Sequence, residues 1–471
     1  MKLKYLMAYS FGAAGSAVFG FLTLFFMAWY IPKQEIGLFS FFQTLVNLLV
    51  IVVPMGLDQA YVREYHEKYN KRSLFYITLF PVLIVFCMLS VGGSFYANEI
   101  SRYAFSRNDP NLILWLYIAS FSSIMIRYFA LVVRMEENVI AYSLSQLLPK
   151  IVLLLFVIVL PFFKFSYVDG LTLSILYTVS LLFTLTYFVA VKFELIKYAV
   201  RAEIGSSKEF STLFKYSFPL MLSGLAFWGL TAMDRLFISK LSSFEELASY
   251  SVAITFVSGV LLLQTVFSTV WIPLVFKAAA KKREQKIIQR GIDIFTVLLV
   301  IIWGVVSILS YLIPKFLPSA YKDIDLIVIS SLSYPILLIM TDVTSLGINL
   351  SKRTFFSFLS TIVAVLFNVI LNFCLVKKYG ALGAAVATSL SFYVYFATKT
   401  YFAFRYHYKF SFIKGGGVIT ICVALSLSPL VYDLSPLIIL VSLFSIIAYK
   451  YELTKYWSLY TRFKRLKKIR T

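Results

Sequence analysis

Cysteine and histidine are nearly absent from this chain of 471 residues, which has three of the first and two of the second. Cys87, Cys374 and Cys422 each stand alone in an apolar stretch. They form neither a disulfide framework nor a metal-ligand spacing, and all three read as small core residues. His66 and His407 lie far apart in polar segments and read as interfacial residues rather than a catalytic pair. Acidic residues are scarce, 22 against 44 Lys and Arg. A phosphate-binding glycine loop is also missing. Gly415-Gly-Gly417 opens an apolar stretch and lacks the Lys-Ser/Thr ending that grips phosphate and magnesium. With no catalytic constellation in view, neither ATP hydrolysis nor another enzymatic activity is expected, and no cofactor or metal.

What the chain has in excess is apolar sequence. It is 60% hydrophobic and 18% aromatic, with a mean hydropathy of +0.84, far outside the range of soluble globular chains. The apolar runs are continuous rather than alternating, which excludes a membrane β-barrel. The expected class is an all-α polytopic membrane protein. At about 20 residues per span, about fourteen transmembrane helices fit, at 9–31, 37–57, 74–96, 112–134, 140–163, 171–191, 214–239, 247–271, 292–313, 325–347, 354–376, 382–404, 415–432 and 435–450. The external loops are short, the longest running from about Ala97 to Asn111. No loop can hold a soluble domain, so the function must lie in or beside the membrane.

The net charge of +22 follows from the positive-inside rule. Most Lys and Arg fall in segments that this topology places in the cytoplasm, notably 58–73, 192–213 and 277–291. An even number of spans puts both termini on that side. Lys2 and Lys4 precede a first span with no convincing cleavage site, so it is expected to stay as an uncleaved anchor. The tail Arg462-Phe-Lys-Arg-Leu-Lys-Lys-Ile-Arg470 reads as a segment lying near anionic membrane lipid, and no nucleic acid is expected as a partner.

The chain also repeats itself. Tyr9-Ser-Phe-Gly12 opens the first span and Tyr216-Ser-Phe-Pro219 the seventh. Pro32-Lys-Gln-Glu35-Ile-Gly-Leu-Phe39 follows the first, and Phe244-Glu-Glu246-Leu-Ala-Ser-Tyr250 the seventh. Each places an acid before a small residue and an aromatic. Six spans separate the copies, so they share one orientation, a plan recurrent in transporters. The expected division is an N-terminal lobe at 1–200, a C-terminal lobe at 201–410, two extra helices at 411–450 and a basic tail at 451–471. Each chain holds both lobes, so a monomer is expected.

Charged residues inside the spans carry the functional argument. Arg127, Lys150 and Arg235 lie within apolar runs, where a cation costs roughly 3 kcal/mol or more unless it meets water or a counter-charge. Several such cations point to a polar cavity and an anionic cargo. Helical spacing groups Ser120, Ser123, Arg127 and Arg134 on one face, Ser143, Gln146 and Lys150 on a second, and Asn47, Pro54 and Asp58 on a third. Ser223, Phe227, Thr231 and Asp234 align on the seventh span, with Arg235 beside them. Arg134 and Lys399 lie near span ends, where long basic side chains snorkel to the interface. Asn368 and Asn372 read as helix–helix contacts. Asp234 and Arg235 are open to a structural reading, as a mutually neutralising pair or in pairs across helices. Asp342 is open to two readings, a counter-ion to these cations or a proton or cation site.

The run Asn368-Val-Ile-Leu-Asn372-Phe-Cys-Leu-Val-Lys-Lys-Tyr379-Gly380-Ala-Leu-Gly383-Ala-Ala385-Val-Ala387-Thr388 resembles the signature between spans eleven and twelve of polysaccharide flippases. The first hairpin, turning at Pro32-Lys-Gln-Glu35-Ile-Gly37, is similar to the same family. So are Gly56-Leu-Asp58-Gln-Ala60 with Arg63, and Asp234-Arg235. The resemblance covers nearly the whole chain and is to Wzx-type O-antigen flippases, in the polysaccharide transporter branch of the multidrug/oligosaccharidyl-lipid/polysaccharide exporter superfamily.

That resemblance implies two six-helix lobes around a central V-shaped cleft, plus two extra C-terminal helices, in the bacterial cytoplasmic membrane. It implies movement of an undecaprenyl-pyrophosphate-linked oligosaccharide, an O-antigen or other surface polysaccharide unit of lipopolysaccharide-type biosynthesis, to the outer leaflet by alternating access. A polysaccharide polymerase and a chain-length regulator are implied partners. The expected substrate contacts are Arg127, Lys150, Arg235 and Arg134. The expected polar or ion-coupling residues are Asp58, Asp234, Asp342, Asn47 and Gln146, with H+ or Na+ as the coupling ion. A lipid II flippase, or an exporter of teichoic-type or capsular units, shares these features. A cation-coupled multidrug antiporter would favour an acidic cavity, and a membrane glycan polymerase or ligase a larger external loop.

Overall fold

The computed structural model describes residues 3–67, 70–163, 168–197, 207–407 and 413–430. Every regular element among them is helical. The α-helices run in the order α1 Leu3–Tyr30, α2 Lys33–Val52, α3 Leu57–Glu64, α4 Lys71–Phe95, α5 Ala97–Phe105, α6 Pro110–Met135, α7 Val139–Val159, α8 Gly170–Val191 and α9 Phe193–Lys197. They continue with α10 Ser207–Leu241, α11 Phe244–Ala279, α12 Glu284–Ser310, α13 Ile324–Ser331, α14 Ser333–Thr344, α15 Leu346–Leu350, α16 Phe355–Tyr406 and α17 Ile413–Leu427. The chain is an all-α polytopic membrane protein.

Among the described residues, ten stretches are long and apolar enough to cross a bilayer. They account for predicted spans one to six and eight to twelve, since the 52 residues of α16 carry two of them. Predicted span 214–239 lies within α10, whose length suffices and whose uncharged stretch runs between Lys215 and Asp234. Predicted span 415–432 is α17 with a short 3-10 turn at Ser428–Leu430. The last predicted span, 435–450, and the basic tail lie outside the described residues.

The chain divides into two compact units, Met1–Thr255 and Phe256–Thr471. Packing assigns α10 and the start of α11 to the first, because α10 lies on α2 and α3, whereas the repeat begins a second lobe at 201.

In the first unit an Asx residue starts helix after helix. Asn70 accepts from Ser73 N at 3.0 Å, Asp109 from Asn111 N at 3.0 Å, Asn138 from Ala141 N at 3.1 Å and Asp169 from Thr172 N at 2.9 Å. These side chains satisfy amides that an apolar helix leaves open at its N-terminus. The predicted second span, 37–57, begins and ends earlier than expected. α2 stops at Val52, Gly56 takes a left-handed φ of 77°, and Asp58 opens the separate α3. Asn47, Pro54 and Asp58 therefore do not share one helical face. Gly56 is required twice over: its φ disfavours other residues, and a Cβ there would overlap the Ser217 carbonyl of α10.

In the second unit Trp271, Val275, Ile288, Ile292, Val343 and Leu346 form a buried cluster, with the Phe267 and Phe295 rings 4.3 Å apart beside it. Ser426 joins three helices, accepting from Trp303 Nε1 at 3.2 Å and meeting Ser333 Oγ at 2.6 Å. Predicted span 325–347 is not one helix but α13, α14 and α15 in succession. Within α16, Gly380 has φ 53° and ψ −130°, a conformation that essentially only glycine adopts. It separates the two predicted spans 354–376 and 382–404. Gly383 follows where a Cβ would overlap the Leu375 carbonyl. The Tyr379-Gly380-Ala-Leu-Gly383 run is thus the chemistry of a tight reversal between two spans.

Candidate functional site

Arg127 lies in α6, eight residues from its end, and finds a partner that its own helix does not offer. Its Nε and Nη2 donate to Asp58 Oδ2 at 2.9 and 2.6 Å. Gln59 Nε2 donates to the same oxygen at 3.0 Å. The Asp58 side chain is 4% exposed and that of Arg127 39%, so the carboxylate is held in the interior while the guanidinium keeps an open side. The break at Gly56 makes this possible, since it turns the chain after α2 and lets α3 present Asp58 to α6. Arg63, five residues on, lies with its guanidinium 4.0 Å from the Tyr216 ring centroid, which fastens α3 to α10.

Lys150 stands in the middle of α7, next to Pro149, and is half-buried. Among the described residues it makes no hydrogen bond or ion pair. Its apolar surroundings supply no counter-charge among the described residues, the condition that an anionic ligand would relieve.

The remaining predicted site residues range from fully buried to exposed. Asp234 is fully buried and accepts from Tyr250 Oη at 2.5 Å. The half-buried Arg235 has its guanidinium 6.0 Å from the same tyrosine ring. Arg134 is exposed near the end of α6, 5.8 Å from the Tyr142 ring, in keeping with a snorkelling side chain. Asn47 is exposed and Gln146 half-buried. In the second unit Asp342 accepts from Gln264 Nε2 at 2.7 Å and from Ser268 Oγ. It makes no ion pair among the described residues.

Hydroxyls of the spans bond to carbonyls of their own helices, some at buried positions and some, such as Ser223 and Thr231, at half-exposed ones. Ser120 is fully buried and donates to Leu116 O at 2.7 Å. Ser122, Thr178 and Thr184 likewise bond to carbonyls of their own helices. Asn368 and Asn372 are fully buried, with Asn372 Nδ2 donating to Asn368 Oδ1 at 3.0 Å, as a packing role predicts. Cys422 is buried as expected, but Cys87 and Cys374 are exposed on their helices rather than in the core.

Sequence reasoning missed a third buried acid as a bonded group. Glu35, 1% exposed, pairs with Arg107 at 2.5 Å and accepts from Gly170 N at 2.6 Å. Beside it the two repeat hairpins meet: a Cβ at Gly37 would overlap the Phe244 carbonyl. Lys240 donates to the carbonyls of Tyr103 and Ala104 at the end of α5. Gln264 and Ser268 were also missed. The matched acids at 35 and 246 were visible as a repeat, but nothing near them in sequence announces Arg107 or Gly170.

Comparison with known proteins now has a structure to refer to. The profile of the family described as "Polysaccharide biosynthesis protein" matches residues 4–279, more than half of the chain. Among solved structures, lipid II flippase MurJ in an inward closed conformation superposes with a TM-score of 0.70 at 14% identity, covering 95% of this chain and 99% of that one. An inward-facing multidrug resistance MATE family transporter of the MOP superfamily gives a TM-score of 0.60 at 13% identity, covering 86% and 96%. MATE in complex with MaD3S gives 0.58 at 11% identity, covering 89% and 96%. At these identities the likeness is one of fold. No curated protein matches the sequence.

Proposed function

The chain belongs to the polysaccharide biosynthesis protein family, and from that premise we propose that it is a flippase for lipid-linked glycan. Its cargo is an oligosaccharide on an undecaprenyl diphosphate, an O-antigen or related surface polysaccharide unit. It moves from the cytoplasmic to the outer leaflet of the bacterial cytoplasmic membrane by alternating access. The sugars and the diphosphate cannot enter hydrocarbon, while the prenyl chain can remain there, so the protein has to supply a polar path with a cationic lining.

The observation that carries this reading is Lys150, a cation in mid-span with neither ion pair nor hydrogen bond among the described residues. Arg127 supports it from the open side of its guanidinium, whose fork suits phosphate oxygens. Asp58 then has a defined part. It holds the guanidinium in place and competes with phosphate for it, which keeps cargo binding weak enough to reverse. Arg235 and Arg134 are secondary contacts. Asp342, an acid without a basic partner among the described residues, is the residue we assign to H+ or Na+ coupling. The protein acts as a monomer, handing its product to a polymerase and chain-length regulator.

Complementation of a flippase-null strain that makes a defined lipid-linked glycan tests the proposal. The wild type is expected to restore surface glycan. Arg127→Ala and Lys150→Ala, at matched expression, are expected to leave the lipid-linked intermediate inside. Restoration by both variants would remove the cationic site. Failure of the wild type on several glycans, together with resistance to cationic drugs, would favour the antiporter reading that the MATE-like fold also permits.

A further inference from the structure

The two repeat hairpins meet at one end of the first unit. α4 and α10 both start beside basic segments, at Lys71 and Ser207, and both finish at this opposite end. The basic loops therefore place it outside the cell. The first repeat contributes the start of α2 and the helix α5. The second contributes the end of α10, the turn residues Ser242 and Ser243 and the start of α11. All of these residues belong to the unit Met1–Thr255. Ser243 Oγ accepts from Glu246 N at 3.2 Å, which caps α11 directly after the turn.

Contacts of two kinds are found here. Within the first repeat, Glu35 pairs with Arg107 and accepts from Gly170 N, so a buried carboxylate binds α2, the α5–α6 loop and the start of α8 together. Across the two repeats the contacts are lighter. Lys240, in the last turn of α10, donates to the carbonyls of Tyr103 and Ala104, with its ammonium 4.2 Å from the Tyr103 ring centroid. The Phe41 ring of α2 meets Phe105 of α5 edge-on at 5.7 Å and Phe244 of α11 at 6.0 Å. Gly37 lets the Phe244 carbonyl come closer than any side chain there would allow.

These contacts differ in what it costs to part them. Glu35 is 1% exposed, so separating it from Arg107 would strand a charge in the interior, a costly step. Lys240 is exposed. Its acceptors are neutral carbonyls at the end of a helix, where the last carbonyls lack partners within the helix and favour a cation. When Lys240 leaves, water replaces each side of the contact. A fixed clamp within one repeat thus stands beside a releasable strap between the two.

On the alternating-access reading above, we propose that Lys240 is the latch of the external gate. With its ammonium on the Tyr103 and Ala104 carbonyls, the α10–α11 turn is strapped to α5 and α2 and the cargo path is shut at this end. Release of Lys240 lets the turn move away while the Glu35–Arg107 clamp stays whole.

Thiol accessibility in cells tests the latch without reading transport. In a background without Cys87, Cys374 and Cys422, a cysteine replacing Ala248, fully buried one turn beyond Phe244, is exposed to an impermeant maleimide added outside. Labelling is expected to be slow with Lys240 in place. Lys240→Gln is expected to speed it about tenfold, the equivalent of one charge-assisted contact of about 1.4 kcal/mol. Lys240→Arg, which keeps charge and donors, is expected to stay slow. So is Lys322→Gln, a change at an exposed lysine of the second unit. A second reporter separates an open gate from a loosened fold. It is a cysteine replacing Ala119, fully buried in α6 and roughly 13 Å along that helix from its start at 1.5 Å per residue. It is expected to stay unlabelled with and without Lys240. Equal labelling at position 248 with Lys240 and with Lys240→Gln, or joint labelling of both reporters in Lys240→Gln, overturns the latch. Where the wild type nevertheless restores surface glycan, either result leaves the flippase reading standing.

Discussion

Arg127 and Lys150 are the same kind of residue in sequence and different kinds in structure. Arg127 is half of an ion pair whose other half, Asp58, is buried. Removing the arginine leaves that carboxylate without its main partner, a loss of roughly 1–3 kcal/mol for an unsatisfied buried group. Arg127→Ala is therefore expected to lower both transport and the melting temperature in detergent. Adding Asp58→Asn should recover the melting temperature without recovering transport. Lys150 has no such partner to strand. Lys150→Ala is expected to melt at or above the wild-type temperature while transport falls, and Lys150→Arg to keep most of the activity. A Lys150→Ala protein that melts well below the wild type would make the lysine structural. Both residues were legible in the sequence as cations at improbable depth. Their different standing was not, because Asp58 lies 69 positions from Arg127 and is brought to it by a break that the apolar pattern conceals.

Helices and their breaks were unequally legible for a related reason. Span length is set by hydropathy summed over about 20 residues, and such sums located most spans. A change of φ at one residue leaves the sum untouched. The end of α2 before Gly56 and the division of 325–347 into three helices were thus invisible, and polar spacing read across Gly56 misled. Hydroxyl spacing alone also does not separate buried from accessible positions: Ser120 is fully buried, whereas Ser223 and Thr231 are half-exposed. The glycines make the elements testable. Gly56→Ala and Gly380→Ala each force a side chain into an unfavourable backbone region, at roughly 1–3 kcal/mol apiece. Gly56→Ala also meets the Ser217 carbonyl. Both variants are expected to give less monodisperse protein and a lower melting temperature, read by fluorescence-detected size exclusion. Gly92→Ala, where a Cβ meets nothing within 4 Å, should behave as the wild type.

For the whole molecule, charge distribution is the property the sequence states most directly. The basic loops predict orientation. In a background without Cys87, Cys374 and Cys422, a cysteine replacing Lys281 is expected to react only with reagent that reaches the cytoplasm, and one replacing Asn108 with impermeant reagent added outside. Reversed labelling would invert the topology. Cargo identity, by contrast, is not written in hydropathy or net charge. In the proposed reading it rests on a few cations whose partners are set by packing. The most direct measurement of the central claim is transbilayer movement of an undecaprenyl-diphosphate-linked oligosaccharide by purified protein in proteoliposomes, read as glycan accessible to an external lectin. The wild type is predicted to move it, and Lys150→Ala to move it about tenfold more slowly for the loss of one charge-assisted contact. Equal rates for Lys150→Ala and wild type, or no movement beyond protein-free vesicles, would contradict the account.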